Sequence, residues 1–167
     1  ASETFHEGEG VNEHFRVFRP GEKDLFYQTV DHFTKTQCCD LIIEEPEENL
    51  FPDIQQDFTY YIIREILKKE GHKLLITTHS PYILFALNNC LMGKLVEKNI
   101  PNEKRKEYLS SNAWIDPKLV SIYEIHEGAL KCIQDKDGIL EDNYLNQAYK
   151  MNSTEYLSLL NYYEDEE

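Results

Sequence analysis

Cations are scarce in this chain. Its 167 residues hold 17 Lys and Arg against 31 Asp and Glu, a formal net charge of −14. A surface this acidic repels nucleic-acid phosphates, so a nucleic-acid partner is expected to meet regions other than this segment. Long apolar runs are also absent. None reaches the roughly 18 residues of a membrane-spanning helix, and residues 1–20 lack the hydrophobic centre of a secretory signal, so the expectation is a soluble cytoplasmic chain with no membrane span. Cysteine is sparse: Cys38, Cys39, Cys90 and Cys132 show no C-x-x-C spacing, which argues against a zinc site or a disulfide framework. Cys38 and Cys39 are expected to pack as small apolar residues at a strand entrance. No internal repeat is present, and the length suits one domain over 1–167 with a sizeable core.

The chain is organised around residues 40–52, Asp-Leu-Ile-Ile-Glu-Glu-Pro-Glu-Glu-Asn-Leu-Phe-Pro. Leu41, Ile42 and Ile43 are apolar without helical period, as in a strand buried on both faces of a parallel sheet. The run stops at Glu44 and Glu45, which fall at the carboxyl end of the strand, where open α/β sheets place ligands; Pro46 removes a backbone donor and ends the ladder. Paired carboxylates there can divide the work, one holding a divalent cation and the other polarising water. A solvated acidic loop is the plainer alternative.

Residues 73–81, Lys-Leu-Leu-Ile-Thr-Thr-His-Ser-Pro, again run from apolar to polar. Between the two stretches, Ile54, Phe58, Tyr61, Ile62 and Ile66 form the stripe of an amphipathic helix, with Pro52 and Asp53 at its start and Lys68, Lys69 and Gly71 at its end. Strand, helix and strand make a right-handed crossover that places Glu44, Glu45 and His79 at one sheet edge. A histidine there is a candidate for catalysis or for a structural contact.

These residues carry a resemblance. Leu41 to Pro52 resembles the Walker B and D-loop region of ABC-type ATPases, the branch that includes RecF, the SMC-like proteins and the OLD-type ATPases. Ile76 to Pro81 resembles that branch's H-loop. The resemblance implies a partial P-loop NTPase fold of α/β class, with parallel strands, flanking helices and a C-terminal antiparallel hairpin. It also implies ATP and Mg²⁺ as cofactors, Glu44 as a metal ligand, Glu45 as the residue orienting water, His79 as the γ-phosphate contact, and Glu47, Glu48 and Asn49 as a D-loop. Members of the branch serve DNA repair, chromosome maintenance and phage defence.

Residues 1–18 read as a lead-in. Residues 19–23, Arg-Pro-Gly-Glu-Lys, resemble the signature segment that contacts the nucleotide of an opposite subunit, which implies a homodimer. A helix N-terminus is a sensible anion site because its first N–H groups lack partners. Gly21, Glu22 and Lys23 match the pattern, whereas Arg19 and Pro20 stand where serines are usual; Arg19 can supply a cation to the partner's nucleotide instead. The alternative is that Pro20 and Gly21 simply open a helix.

Further along, residues 82–91 suit a helix and 99–112 a polar surface connection. Residues 119–126 and 129–134 suit a hairpin turning at Glu127 and Gly128, and residues 140–149 and 154–162 suit two helices. The ATPase-like core is expected over 19–150 and a helical acidic tail over 151–167. No G-x-x-x-x-G-K-[ST] occurs. In ABC-type ATPases the P-loop lies upstream of the signature, so the resemblance implies that the chain is the carboxyl half of such a domain, with an amino-terminal P-loop half that is deleted or supplied separately. Two other readings stay open: a non-hydrolysing dimerisation or binding module of the same fold, and a metal-dependent hydrolase built on Glu44, Glu45, Glu47 and Glu48.

Overall fold

A computed structural model of the chain describes residues 40–48, 50–68 and 70–163. They fall into two compact units that part between Ile115 and Asp116. The lead-in at 1–18, the signature-like residues Arg19, Gly21 and Glu22, the cysteines Cys38 and Cys39, and Asn49 lie outside the described residues.

Among the described residues of the first unit, strand β1 (Asp40–Glu44) is followed by helix α1 (Pro52–Ile66), strand β2 (Lys73–Thr77) and helix α2 (Pro81–Val96). β1 and β2 pair in parallel, from Asp40 opposite Lys73 to Glu44 opposite Thr77. Pro52 opens α1 with its missing N–H at no cost and Asp53 complements the positive helix end. After the helix, Gly71 takes φ 91°, a left-handed turn that glycine adopts without strain, and the chain re-enters the sheet. On α1, Phe58 and Ile62 are buried as the stripe requires, but Ile63 and Thr59 are buried with them, so the inward face is wider than the periodic residues alone indicate.

Ile43, Phe58, Ile62, Ile63, Cys90 and Ala113 form the core cluster, with Leu41, Leu74, Ile76 and Leu87 packed against it. Burying each such aliphatic side chain contributes about 1.5–3 kcal/mol. The expectation of a strand buried on both faces is corrected here: Ile42 is 46% exposed and its neighbour Leu75 56% exposed. The reason is pleating. Leu41, Ile43, Leu74 and Ile76 point to the one face that the cluster from α1 and α2 covers, and Ile42 and Leu75 point to the other.

α2 runs to Val96, longer than the expected 82–91, and a short helix α3 (Asn102–Arg105) and a 3₁₀ turn at Leu109–Asn112 make the polar connection. Burial pushes the Cys90 thiol up to about 12, so it stays protonated and packs as a small apolar group. Trp114 lies flat on Gly93, donates from Nε1 to Ser110 Oγ at 3.1 Å, and carries the Arg105 guanidinium 4.7 Å from its ring centre. A Cβ at Gly93 would sit 2.1 Å from Trp114 Nε1.

The second unit holds strands β3 (Tyr123–His126) and β4 (Ala129–Cys132) and helix α4 (Tyr144–Leu160). The hairpin is antiparallel, Tyr123 opposite Cys132 and His126 opposite Ala129. Its two-residue turn has Glu127 at φ 49° and Gly128 at φ 78°, the all-positive pattern of a type I′ turn. Both strands are shorter than expected, because Pro117–Leu119 forms a 3₁₀ turn and Gln134 is diverted: its Oε1 accepts from Ile122 N–H at 2.9 Å and its Nε2 donates to the Gly138 carbonyl at 2.9 Å. The two expected C-terminal helices are one. Lys150 to Ser153 contain neither Pro nor Gly, so nothing interrupts α4, which Asn143 caps by accepting from Asn146 N–H at 3.1 Å. Among the described residues no helix is long and apolar enough to cross a membrane.

Gly93→Ala is expected to lose about 1–3 kcal/mol of unfolding stability by overpacking against Trp114, read by urea denaturation with tryptophan fluorescence. Glu127→Asn, better suited to a left-handed turn position, should gain up to about 1 kcal/mol, visible as a raised melting midpoint of the second unit.

Candidate functional site

The in-register pairing of β1 with β2 delivers two strand tips side by side. Glu45 N–H extends the ladder by one bond, donating to the Thr77 carbonyl at 2.9 Å. Pro46 then ends it. Glu45 itself has φ 44°, a left-handed conformation that costs a non-glycine residue about 1–2 kcal/mol. The turn is closed by Glu48 N–H to the Glu45 carbonyl at 3.1 Å and Leu50 N–H to the Glu47 carbonyl at 3.0 Å.

The Glu45 carboxylate meets the His79 ring, Oε1 to Nε2 3.1 Å, with both side chains open to solvent. From beneath, His79 N–H donates to Glu47 Oε1. The second Glu47 oxygen is buried and has no hydrogen-bond partner. Glu45, Glu47 and His79, singled out from sequence, are thus brought together. Glu44 lies apart on the exposed sheet face, opposite Thr77 and in line with Ile42, and Glu48 is exposed within the turn. Among the described residues no three His, Cys, Asp or Glu converge as a metal-holding group, so the four-glutamate metallohydrolase loses its geometric basis.

Two polar residues at this edge were not anticipated. Gln55, on the first turn of α1, and Ser80, the N-cap of α2, are both buried and hydrogen-bonded to each other, Ser80 Oγ donating to Gln55 Oε1. Gln55 Nε2 donates to the Leu50 carbonyl at 2.8 Å. A Ser-Pro pair opening a helix signals the cap. The signal for Gln55 is weaker, a polar residue between Ile54 and Phe58.

Chemically, the Glu45 and His79 pair offers an acceptor and an imidazole within reach of a common solvent-borne molecule, on backbone fixed by a sheet ladder. A carboxylate so placed can orient and polarise water, and an imidazole beside it can donate a hydrogen bond to an anion.

Comparison with known families yields a match to the AAA ATPase domain over residues 34–84. The matched segment is less than half of the chain and takes in both strand tips, with Glu44, Glu45, Glu47, Gln55 and His79. It supports a P-loop ATPase relationship and a generic ATPase function, with the nucleotide and Mg²⁺ use typical of such domains. Neither the curated proteins nor the solved structures gave a match.

Because Glu45 holds a left-handed backbone, Glu45→Val is expected to lower unfolding stability by about 1–2 kcal/mol while Glu45→Gly stays within about 1 kcal/mol of the parent. Urea titration measures both; equal stability of the Val and Gly variants would contradict the backbone geometry described.

Proposed function

We propose that this chain carries the hydrolytic edge of an ATP-hydrolysing domain. The observation that supports it best is the Glu45 to His79 contact of 3.1 Å, at adjacent parallel strand tips within the segment similar to an AAA ATPase domain. In this reading Glu45 accepts a hydrogen bond from the attacking water and polarises it, and His79 faces the terminal phosphate and responds to its loss. Phosphoryl transfer depends on positioning, and Glu45 is positioned by its ladder bond to Thr77 and its contact with His79.

Magnesium usually keeps several waters and takes one or two protein carboxylates. Glu44, exposed at the strand end, fits that demand without a three-ligand cage. When bound, the ion neutralises charge developing on the phosphate oxygens. Glu44 would hold it directly or through its water shell. Glu47 and Glu48, with Asn49, form the D-loop of this reading, and Glu47 already supports His79 from the main-chain side.

The remaining parts rest on the ABC-type resemblance. A P-loop supplied from outside this chain cradles the phosphates, and Arg19, Gly21 and Glu22 reach the nucleotide of the opposite subunit in a two-fold homodimer. The net charge of −14 directs a nucleic-acid partner, where one is engaged, to other regions.

Steady-state ATPase rates and nucleotide affinities of three variants in the intact protein test the assignment. Glu45→Gln should keep nucleotide affinity while hydrolysis falls by about 10²-fold or more. Glu44→Gln should weaken the Mg²⁺-dependent part of binding, and His79→Ala should slow turnover with a smaller effect on affinity. Near-normal turnover of Glu45→Gln would sink the mechanism. Nucleotide binding without any hydrolysis in the parent would leave a non-hydrolysing dimerisation module of the same fold.

A further inference from the structure

We infer that Gln55 is a positioning residue for His79, tying the loop after β1 to the His79 turn through its buried side-chain amide. The inference rests on the ATPase reading for its kinetic consequence and on geometry alone for the placement of His79.

Three links converge on that turn. Glu47 Oε1 takes the His79 N–H. Thr78 Oγ1 takes the Ser80 N–H at 3.0 Å. Ser80 Oγ accepts from Tyr82 N–H at 3.1 Å, so its single proton is free to go to Gln55 Oε1. Gln55 in turn donates to the Leu50 carbonyl at 2.8 Å, and its own carbonyl takes the Thr59 hydroxyl at 2.8 Å. Leu50 and Glu47 belong to one turn, joined by the bond from Leu50 N–H to the Glu47 carbonyl at 3.0 Å.

The result is a closed circuit. It runs from Glu47 to His79, to Ser80, through Gln55 to Leu50, and back to Glu47. Glu45 stands at the start of the same turn and receives Glu48 N–H at its carbonyl. The circuit ties together the main chain on both sides of the pair, from which the Glu45 carboxylate and the His79 ring extend. Gln55 is 8% exposed and Ser80 5% exposed, and a buried amide or hydroxyl exchanges partners only at the cost of leaving one unmet. A core residue needed only for packing would serve as well apolar, and methionine has nearly the length of glutamine without its hydrogen bonds.

The test uses the full chain with ¹⁵N-labelled histidine, the His79 resonances being assigned by their loss in His79→Gln. In nucleotide-free protein, Gln55→Met and Ser80→Ala should each shift the His79 ring nitrogens in the same direction, the double variant should shift them no further, and Ser80→Thr, which keeps hydroxyl and cap, should hold them at the parent values. In the ATPase assay of the intact protein, Gln55→Met should lower kcat by about 10- to 100-fold with KM for ATP changed less than about twofold. Unmoved His79 resonances in folded Gln55→Met, or independent additive shifts from the two single variants, would overturn the inference. If Gln55→Met does not fold, Ser80→Ala against Ser80→Thr decides by the same resonances. A parent protein that hydrolyses no ATP counts against the ATPase reading, while the resonance shifts still judge the role of Gln55.

Discussion

The register between β1 and β2 sets everything at the sheet edge. A parallel strand advances about 3.3 Å per residue, and a slip of one residue reverses the face of every side chain. The Glu45 to His79 contact of 3.1 Å is no longer than that step, so one slip would break it. The same slip would turn Ile43 or Ile76 away from Phe58, Ile62 and Ile63. Core packing and site geometry are therefore enforced by one choice of pairing, and the apolar residues that never meet a ligand decide where the polar ones stand.

At the end of the ladder the constraint changes character. Glu45 leaves the extended conformation for φ 44°, and the strain is held by the bond to Thr77 on one side and the turn from Glu45 to Leu50 on the other. A left-handed residue aims its side chain where an extended one could not. Here that direction is across the sheet edge to His79, while Glu44, still in the ladder, follows the exposed face. Adjacent glutamates thus have different surroundings, Glu44 on the exposed face of the ladder and Glu45 against His79.

Much of this edge was legible in sequence because apolar runs that stop at acid, or at His-Ser-Pro, mark where strands end. The helical stripe of Ile54, Phe58 and Ile62 fixed the crossover between them. The uncovered face at Ile42 and Leu75 was not legible, since a short apolar run reads the same whether one face or both are packed. Glu65 is a second case: its side chain is only 1% exposed, with Lys68 and Arg64 as ion-pair partners, and a charged residue so enclosed has no periodic signature. The Gln55 to Ser80 bond joins residues whose spacing follows from the whole crossover, so no local pattern announces it. Arg19, Gly21, Glu22 and Asn49 lie outside the described residues. In the second unit, turn chemistry located the hairpin, and the absence of helix breakers across Lys150 to Ser153 was the signal for one helix.

Helix α4 buries none of its residues, and Tyr149, Tyr156, Leu157 and Leu159 stay wet along its length. Its consequence is calorimetric. Unfolding draws its heat-capacity change mainly from apolar surface newly exposed to water, and α4 has almost none left to expose. A helix of this length without a packed face lies near the nucleation limit, so it should melt as a helix–coil transition, broad and nearly flat in heat capacity. The sharp absorption of heat belongs to the parts of each unit that enclose buried side chains, Ile62 in the first and Ile133 in the second.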